Sequence, residues 1–215
     1  KDNKELVLKT MEGVTFKELG TNEETLADMV GYGKDLILNP MPNLYFTRDP
    51  FASVGNGIVL NKMYSETRNR ETIYASYIFK HHEDYKDKVE LLYDRDLPYH
   101  IEGGDVLNIN EKTLAIGISQ RTEAKAISLL AKNIFHNSSS KVEKILAFDL
   151  PVKRAFMHLD TVFTQIDTDK FTIHPEILGT LRVFEITKGE GKDGLDIAEK
   201  TDTLEHILES AIGCP

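Results

Sequence analysis

The chain has 215 residues, 40% hydrophobic and 28% charged, a balance that suits a domain with a sizeable core and excludes a fibrous or disordered chain. The formal net charge of -9 argues against nucleic acid as the main partner and is compatible with a cationic small ligand. No apolar run approaches a membrane span, the first residues do not read as a signal peptide, and the single cysteine, Cys214, leaves no internal disulfide framework, so a reducing cytoplasm is the expected location.

In chain order, Leu6, Val7 and Met11 fall on one face of a helix. Thr21 or Asn22 is placed to cap a short helix through Glu23, Leu26 and Val30, which Gly31-Tyr32-Gly33 ends. Residues 35–38 are a short apolar run stopped by Asn39-Pro40-Met41-Pro42-Asn43. From residue 44 a unit repeats. Phe51–Val54 and residues 58–60 flank a Gly55-Asn56-Gly57 hairpin signal, residues 70–82 have helical spacing, and residues 89–93 read as a strand. The second unit runs through a strand at 105–109, a turn at 110–112, a return strand over Thr113–Ile118, a helix over 122–135 and a strand at 142–148. The third starts with a strand over 156–163, turns at 167–170 and returns through 171–173, after which Pro175 opens a helical stretch. Residues 189–194 are a glycine-rich loop, and Asp202-Thr203-Leu204-Glu205 has capping-box spacing with Asp202 as the cap of a last helix through Ile212.

Aligned by their hairpins, the units place Asp49, Asp105 and Asp160 in equivalent positions, 56 and 55 residues apart. A period of that size predicts ββαβ blades, an α/β propeller-like fold whose first strands converge on one site. Arg68 and Arg121 also match, each after its unit's second strand. Within Ile101-Glu102-Gly103-Gly104-Asp105-Val106, the glycine pair either takes φ > 0 or lets another group approach the backbone. Such a set suits a ligand with a cation at one end and a carboxylate at the other. A planar guanidinium is held by in-plane carboxylates such as Asp49 and Asp160, and Arg68 and Arg121 would take the carboxylate. His158, two residues before Asp160 and expected on the same strand face, would move protons, oriented by Glu102.

Each member also has a plainer reading. Asp49 starts a turn, the Gly-Gly step is an ordinary bend, His158 is a satisfied half-buried histidine, and Arg68, Arg70 and Arg121 are solvated helix starts. His81-His82-Glu83-Asp84 reads as a solvated face before it reads as a metal site, and His174-Pro175 as a turn.

Three stretches carry a resemblance: residues 41–50 (Met-Pro-Asn-Leu-Tyr-Phe-Thr-Arg-Asp-Pro), Glu102-Gly103-Gly104-Asp105, and residues 157–163 (Met-His-Leu-Asp-Thr-Val-Phe). Together they resemble the arginine deiminase family of the guanidine-modifying superfamily. The first stretch points to the deiminases and the other two are shared across the superfamily. The resemblance implies a pentein propeller of five ββαβ blades, partial here, with residues 1–33 the tail of a helical insertion and 34–215 the propeller part. It implies hydrolysis of L-arginine to L-citrulline and ammonia through a cysteine-bound amidino intermediate, without metal or organic cofactor, and a homo-oligomer when full length. By matching positions, His158 is the general acid/base, Glu102 pairs with it and with the guanidinium, and Asp49 and Asp160 grip the guanidinium nitrogens. Arg68, Arg121 and Asn43 bind the amino-acid end, Phe46 lies against the aliphatic stem, and Asp105 supports the site.

The family's nucleophilic cysteine follows a glycine-rich Arg-Cys-Met stretch that this sequence lacks, and Cys214 before Pro215 does not match it. The chain is therefore expected to be an internal fragment that keeps much of the substrate clamp and is inactive alone. Competing expectations are an amidinotransferase or dimethylarginine hydrolase, a non-catalytic propeller that binds a partner, and a metal hydrolase using His158, Asp160, Glu102 and Asp105.

Overall fold

A computed structural model describes residues 2–20, 26–30 and 36–213. The proposed caps Thr21 and Asn22, the Gly31-Tyr32-Gly33 stop and Cys214 lie outside the described residues. The chain forms two compact units, Lys1–Tyr45 with Ser65–Glu71, and Phe46–Tyr64 with Thr72–Pro215.

In the first unit, helix α1 (Asn3–Glu12) is capped by the Asp2 carboxylate, which accepts from the Lys4 amide at 3.2 Å. Its C-cap, Gly13, has φ +86°, and a Cβ there would press on the Leu38 carbonyl at 2.6 Å, so only glycine fits. The chain then forms β1 (Val14–Thr15), antiparallel to β2 (Leu36–Leu38), with the short helix α2 (Leu26–Met29) between them in sequence. The other segment of this unit carries the short helix α3 (Glu66–Asn69).

The second unit holds the repeat. Strands β3 (Phe51–Val54) and β4 (Gly57–Leu60) form a hairpin whose Gly55 takes the positive φ of +55° that a two-residue turn requires. Helix α4 (Thr72–His81) leads to β5 (Glu90–Tyr93), parallel to β4. The same path recurs: β6 (Val106–Asn110) and β7 (Thr113–Ile118) pair antiparallel, helix α5 (Ala124–Asn137) crosses, and β8 (Lys144–Asp149) pairs parallel to β7. The expected α/β architecture of ββαβ blades is thus observed twice. The third repeat is a hairpin alone, β9 (Phe163–Asp167) with β10 (Lys170–Ile173), followed by a single 3-10 turn at Pro175–Ile177.

Two strands of this unit have no strand pattern in the sequence. β11 (Arg182–Lys188) and β12 (Leu195–Lys200) flank the glycine-rich loop and extend the second blade's sheet to the order β12-β11-β8-β7-β6. Each carries charges at several positions, so neither shows an apolar alternation. The last helix, α6 (Leu204–Ile212), is capped by Thr203, whose hydroxyl accepts from the His206 amide at 3.4 Å. Asp202 is not the cap; its carboxylate is taken by the Thr203 amide and the His206 ring.

The larger sheet is buried on both faces. Leu114, Ile116, Ile145 and Ala147 face one core with Ala126, Ile127, Leu130, Ala131 and Ile134 of α5. Ala115, Leu146 and Phe148 face the other, with Leu159, Phe163, Ile207 and Leu208. This accounts for the unbroken apolar runs of β7 and β8, since a strand covered on both sides has no polar alternation.

Candidate active site

The candidate residues Asp49, Asp105 and Asp160 of the second unit sit on the turns that precede the first strand of each repeat. Asp105 ends a 3-10 turn, Gly103–Asp105, just before β6. His158 caps a second 3-10 turn, Leu159–Thr161, which contains Asp160, and β9 begins only at Phe163. The expected strand through 156–163, with His158 and Asp160 on its face, is therefore corrected to a turn. The cause is local hydrogen bonding: Asp105 Oδ1 takes the Leu159 amide at 2.8 Å and Thr161 Oγ1 donates to the His158 carbonyl at 2.6 Å, which removes groups that a strand ladder needs.

The glycine pair is explained by close approach, since neither glycine has a positive φ. A Cβ on Gly103 would collide with the Arg48 carbonyl, and one on Gly104 would lie 2.7 Å from His158 Cγ. The Gly103 amide also donates to the Asp49 carbonyl at 3.1 Å. Main chain from one repeat thus rests directly on main chain and ring from its neighbours.

Against this backbone lies a buried pair. Glu102, 0% exposed, accepts from His158 Nε2 through Oε2 at 2.7 Å. A carboxylate accepts only, so the Nε2 position carries the proton. Glu102 Oε1 takes the Tyr64 amide at 2.9 Å, and the Glu102 amide donates to Thr122 Oγ1 at 3.1 Å. His158 is 6% exposed. Burial, the largest influence on its ring, works to lower its pKa, but the Glu102 hydrogen bond and the charges of Asp105, Glu102 and Asp49 together raise it above the ordinary value. Asp105, also 0% exposed, is pushed up to about 6 by burial, against the lowering effects of His158 and of hydrogen bonds from Thr122, Ser119 and the Leu159 amide.

Asp160 is partly open, and Arg48 Nη1 lies 3.7 Å from its Oδ2. Burial raises the Asp160 pKa, with Arg48 and His158 pulling the other way. The Arg48 Nε also donates to the Gly103 carbonyl at 3.3 Å. Asp49 is half-buried and its charge reaches both Asp160 and His158, while its carbonyl accepts from Asn61 Nδ2 at 2.6 Å. Phe46 is exposed. Arg121 sits 5.2 Å over the Tyr64 ring, with Nη1 3.7 Å from Glu102 Oε1.

Asn43 and Arg68 belong to the first unit. There Arg68 is buried rather than a solvated helix start: its Nη2 and Nε bond Glu71 Oε2 at 2.9 and 3.1 Å, and its Nη2 also donates to the Asn43 carbonyl at 3.3 Å. The Asn43 amide donates to Glu71 Oε1 at 3.2 Å. His81, His82, Glu83 and Asp84 are exposed, and among the described residues no group of three or more His, Cys, Asp or Glu side chains is set to hold a metal ion.

Tyr64 and Ser119 are not among the residues that sequence reasoning singles out. Ser119 Oγ donates to Asp105 Oδ2 at 2.7 Å and accepts from the Arg121 and Thr122 amides at 3.0 and 3.2 Å, joining the turn that presents Arg121 to the buried acid. Only the spacing Ser119-Gln120-Arg121-Thr122, a serine starting a turn, hints at this hub.

The arrangement holds one histidine at a fixed place beside two buried acids and one partly open acid. It can move protons at His158 and present Asp160 to a cation. The family model for arginine deiminase matches residues 1–215. Arginine deiminases of Treponema denticola, Streptococcus agalactiae and Clostridium perfringens are 58%, 52% and 51% identical, over 99%, 99% and 97% of this chain and 52%, 52% and 51% of theirs. The chain spans about half the length of the curated relatives it matches. A crystal structure of AgrE with ornithine and NAD+ superposes with a TM-score of 0.52 at 23% identity, over 70% of this chain and 21% of that one, and shares its fold. With the family model matching from the first residue to the last, the chain belongs to the arginine deiminase family.

Proposed function

We propose that this chain supplies the proton-transfer and guanidinium-holding part of an enzyme that hydrolyses L-arginine to L-citrulline and ammonia. The observation that carries the reading is the buried Glu102–His158 pair, 2.7 Å apart, set against Gly104 with Asp160 on the following turn. In a chain of this family, that pair supports reading His158 as a proton carrier and the neighbouring carboxylates as suited to a guanidinium.

In the proposed reaction a cysteine thiolate attacks the guanidinium carbon, and the bond from that carbon to one terminal nitrogen breaks. His158 gives the leaving nitrogen its proton and ammonia departs. Water then attacks the amidino-thioether carbon while His158 takes a proton from it. The carbon–sulfur bond breaks as the remaining hydroxyl proton passes to solvent, releasing citrulline and the thiolate. Glu102, held by the Tyr64 amide, keeps the His158 ring in place and faces the cation; Asp49 and Asp160 hold the terminal nitrogens. Arg121 receives the substrate carboxylate and Phe46 covers the stem. The assignment of Arg68 to the amino-acid end is carried by its repeat position and the sequence resemblance, and that of Asn43 by the resemblance alone.

The described residues contain no cysteine and Cys214 does not match the family's nucleophile, so the 215-residue chain by itself is expected to make no citrulline. The test is a citrulline assay on the full-length enzyme with L-arginine, repeated on His158→Ala with the fold checked by circular dichroism. The reading requires turnover by the wild type and none above background in the folded variant. A wild type that leaves arginine intact would overturn it.

A further inference from the structure

Tyr64 follows β4 on a stretch that is held in place just before it. Met63 before it is buried, and the Lys62 carbonyl takes the Ile101 amide at 3.0 Å. Tyr64 itself is 46% exposed, so its ring does not earn its place by filling a core. It touches two of the candidate residues instead, one with its backbone and one with its ring. Its amide donates to Glu102 Oε1 at 2.9 Å. Its ring face lies under the Arg121 guanidinium at 5.2 Å, and the His100 ring packs edge-on at 5.7 Å, itself held by Glu123.

Arg121 has few other constraints. Its Nε is enclosed without a hydrogen-bond partner, its Nη1 stands 3.7 Å from Glu102, and its Nη2 has a 3.5 Å contact with Met157 Sδ. A guanidinium lying over an aromatic face is held by the ring's negative potential while its edge N–H groups point outward. The edge is what binds a carboxylate in paired hydrogen bonds.

We propose, resting on the deiminase reading above, that Tyr64 is the positioning residue for the amino-acid end of the substrate. Its ring orients Arg121 for the substrate carboxylate, while its backbone amide, which no side-chain replacement removes, orients Glu102 at the guanidinium end. The ring therefore governs preference for arginine over the same guanidinium without a carboxylate.

The test is steady-state kinetics of the full-length enzyme with L-arginine, and inhibition by agmatine, which is decarboxylated arginine. Tyr64→Leu keeps bulk and amide but removes the face. It should raise KM for arginine about fivefold to thirtyfold, the range a partly desolvated cation–π contact covers, with kcat within about threefold. The agmatine inhibition constant should stay within about twofold. Tyr64→Phe should recover most of the lost affinity. An unchanged arginine KM in Tyr64→Leu, an equal loss for agmatine, or a Tyr64→Phe as impaired as Tyr64→Leu would each overturn the proposal. A wild type without citrulline production would instead strike the deiminase reading, and this outcome is distinct from an active wild type that ignores the loss of the ring.

Discussion

Gly104→Ala adds one methyl group at the most crowded point of the site. The new Cβ would stand 2.7 Å from His158 Cγ, 2.8 Å from Nδ1 and 3.0 Å from its Cβ. Non-bonded carbons settle at about 3.5–4 Å, so the ring must retreat by roughly 1 Å. The backbone on both sides is pinned, by the Asp105 amide on the Glu102 carbonyl at 3.0 Å and by the Leu159 amide on Asp105 at 2.8 Å, which leaves the imidazole to move. Its 2.7 Å bond to Glu102 then opens to about 3.5 Å, past useful hydrogen-bond length. Gly104 does not have a positive φ, so the alanine backbone is unstrained and the cost is overpacking, about 1–3 kcal/mol of stability. A misplacement of this size costs about a hundredfold in turnover. The assay is kcat of the full-length variant alongside its urea midpoint and the NMR titration of His158. A variant with wild-type kcat and an unmoved His158 titration would refute the claim that this glycine exists to admit the ring.

Glu102→Gln removes the hydrogen-bonded charge that offsets burial at His158, so the His158 pKa should fall below its wild-type value, read by NMR titration of the imidazole; a value that stays or rises contradicts the pairing. Asp105 is pushed up to about 6, so the folded state holds its proton more tightly than the unfolded state. The associated stability is complete below about pH 4, the range of a free aspartate, and is lost as pH rises through about 6. Asp105→Asn should flatten the fall in urea midpoint between pH 4 and pH 6; an identical slope in both proteins would count against it. Arg68→Ala strands the fully covered Glu71 carboxylate and should cost about 3–5 kcal/mol, with Arg68→Ala/Glu71→Gln recovering most of it; a single variant as stable as the wild type would show that the pair is not a buried one.

Much of this was legible because it rests on short-range patterns. The Gly55-Asn56 turn, the apolar face of α5 and the hairpin spacing write periods of two or 3.6 residues into the sequence, and those periods survive folding. The pairing of Glu102 with His158 was legible from residue type and repeat position. The turn that carries His158 was not. A three-residue 3-10 turn has no period, and the one at Leu159–Thr161 depends on a carboxylate 54 positions earlier in the chain. Tyr64 acts through a backbone amide and a ring face, neither of which its neighbours in sequence announce. Arg48 was read only as part of a motif, yet it faces Asp160 at 3.7 Å. The cap of α6 was off by one residue because Asp202 and Thr203 are both good caps, and the His206 ring decided between them by taking Asp202.

The double-sided burial of β7 and β8 also bears on how the protein fails. Ile145-Leu146-Ala147-Phe148 and Leu114-Ala115-Ile116 are apolar, rich in β-formers and free of proline, the composition that pairs readily with other chains once opened. Lys144 and Asp149 bracket the first run and act as gatekeepers only while the flanks remain solvated. Heating should therefore end in precipitation, with an apparent Tm that climbs as the scan rate increases. Because the same strands fix the position of the site, its loss on heating should be irreversible, and a half-life at temperature should then describe this protein better than a melting point.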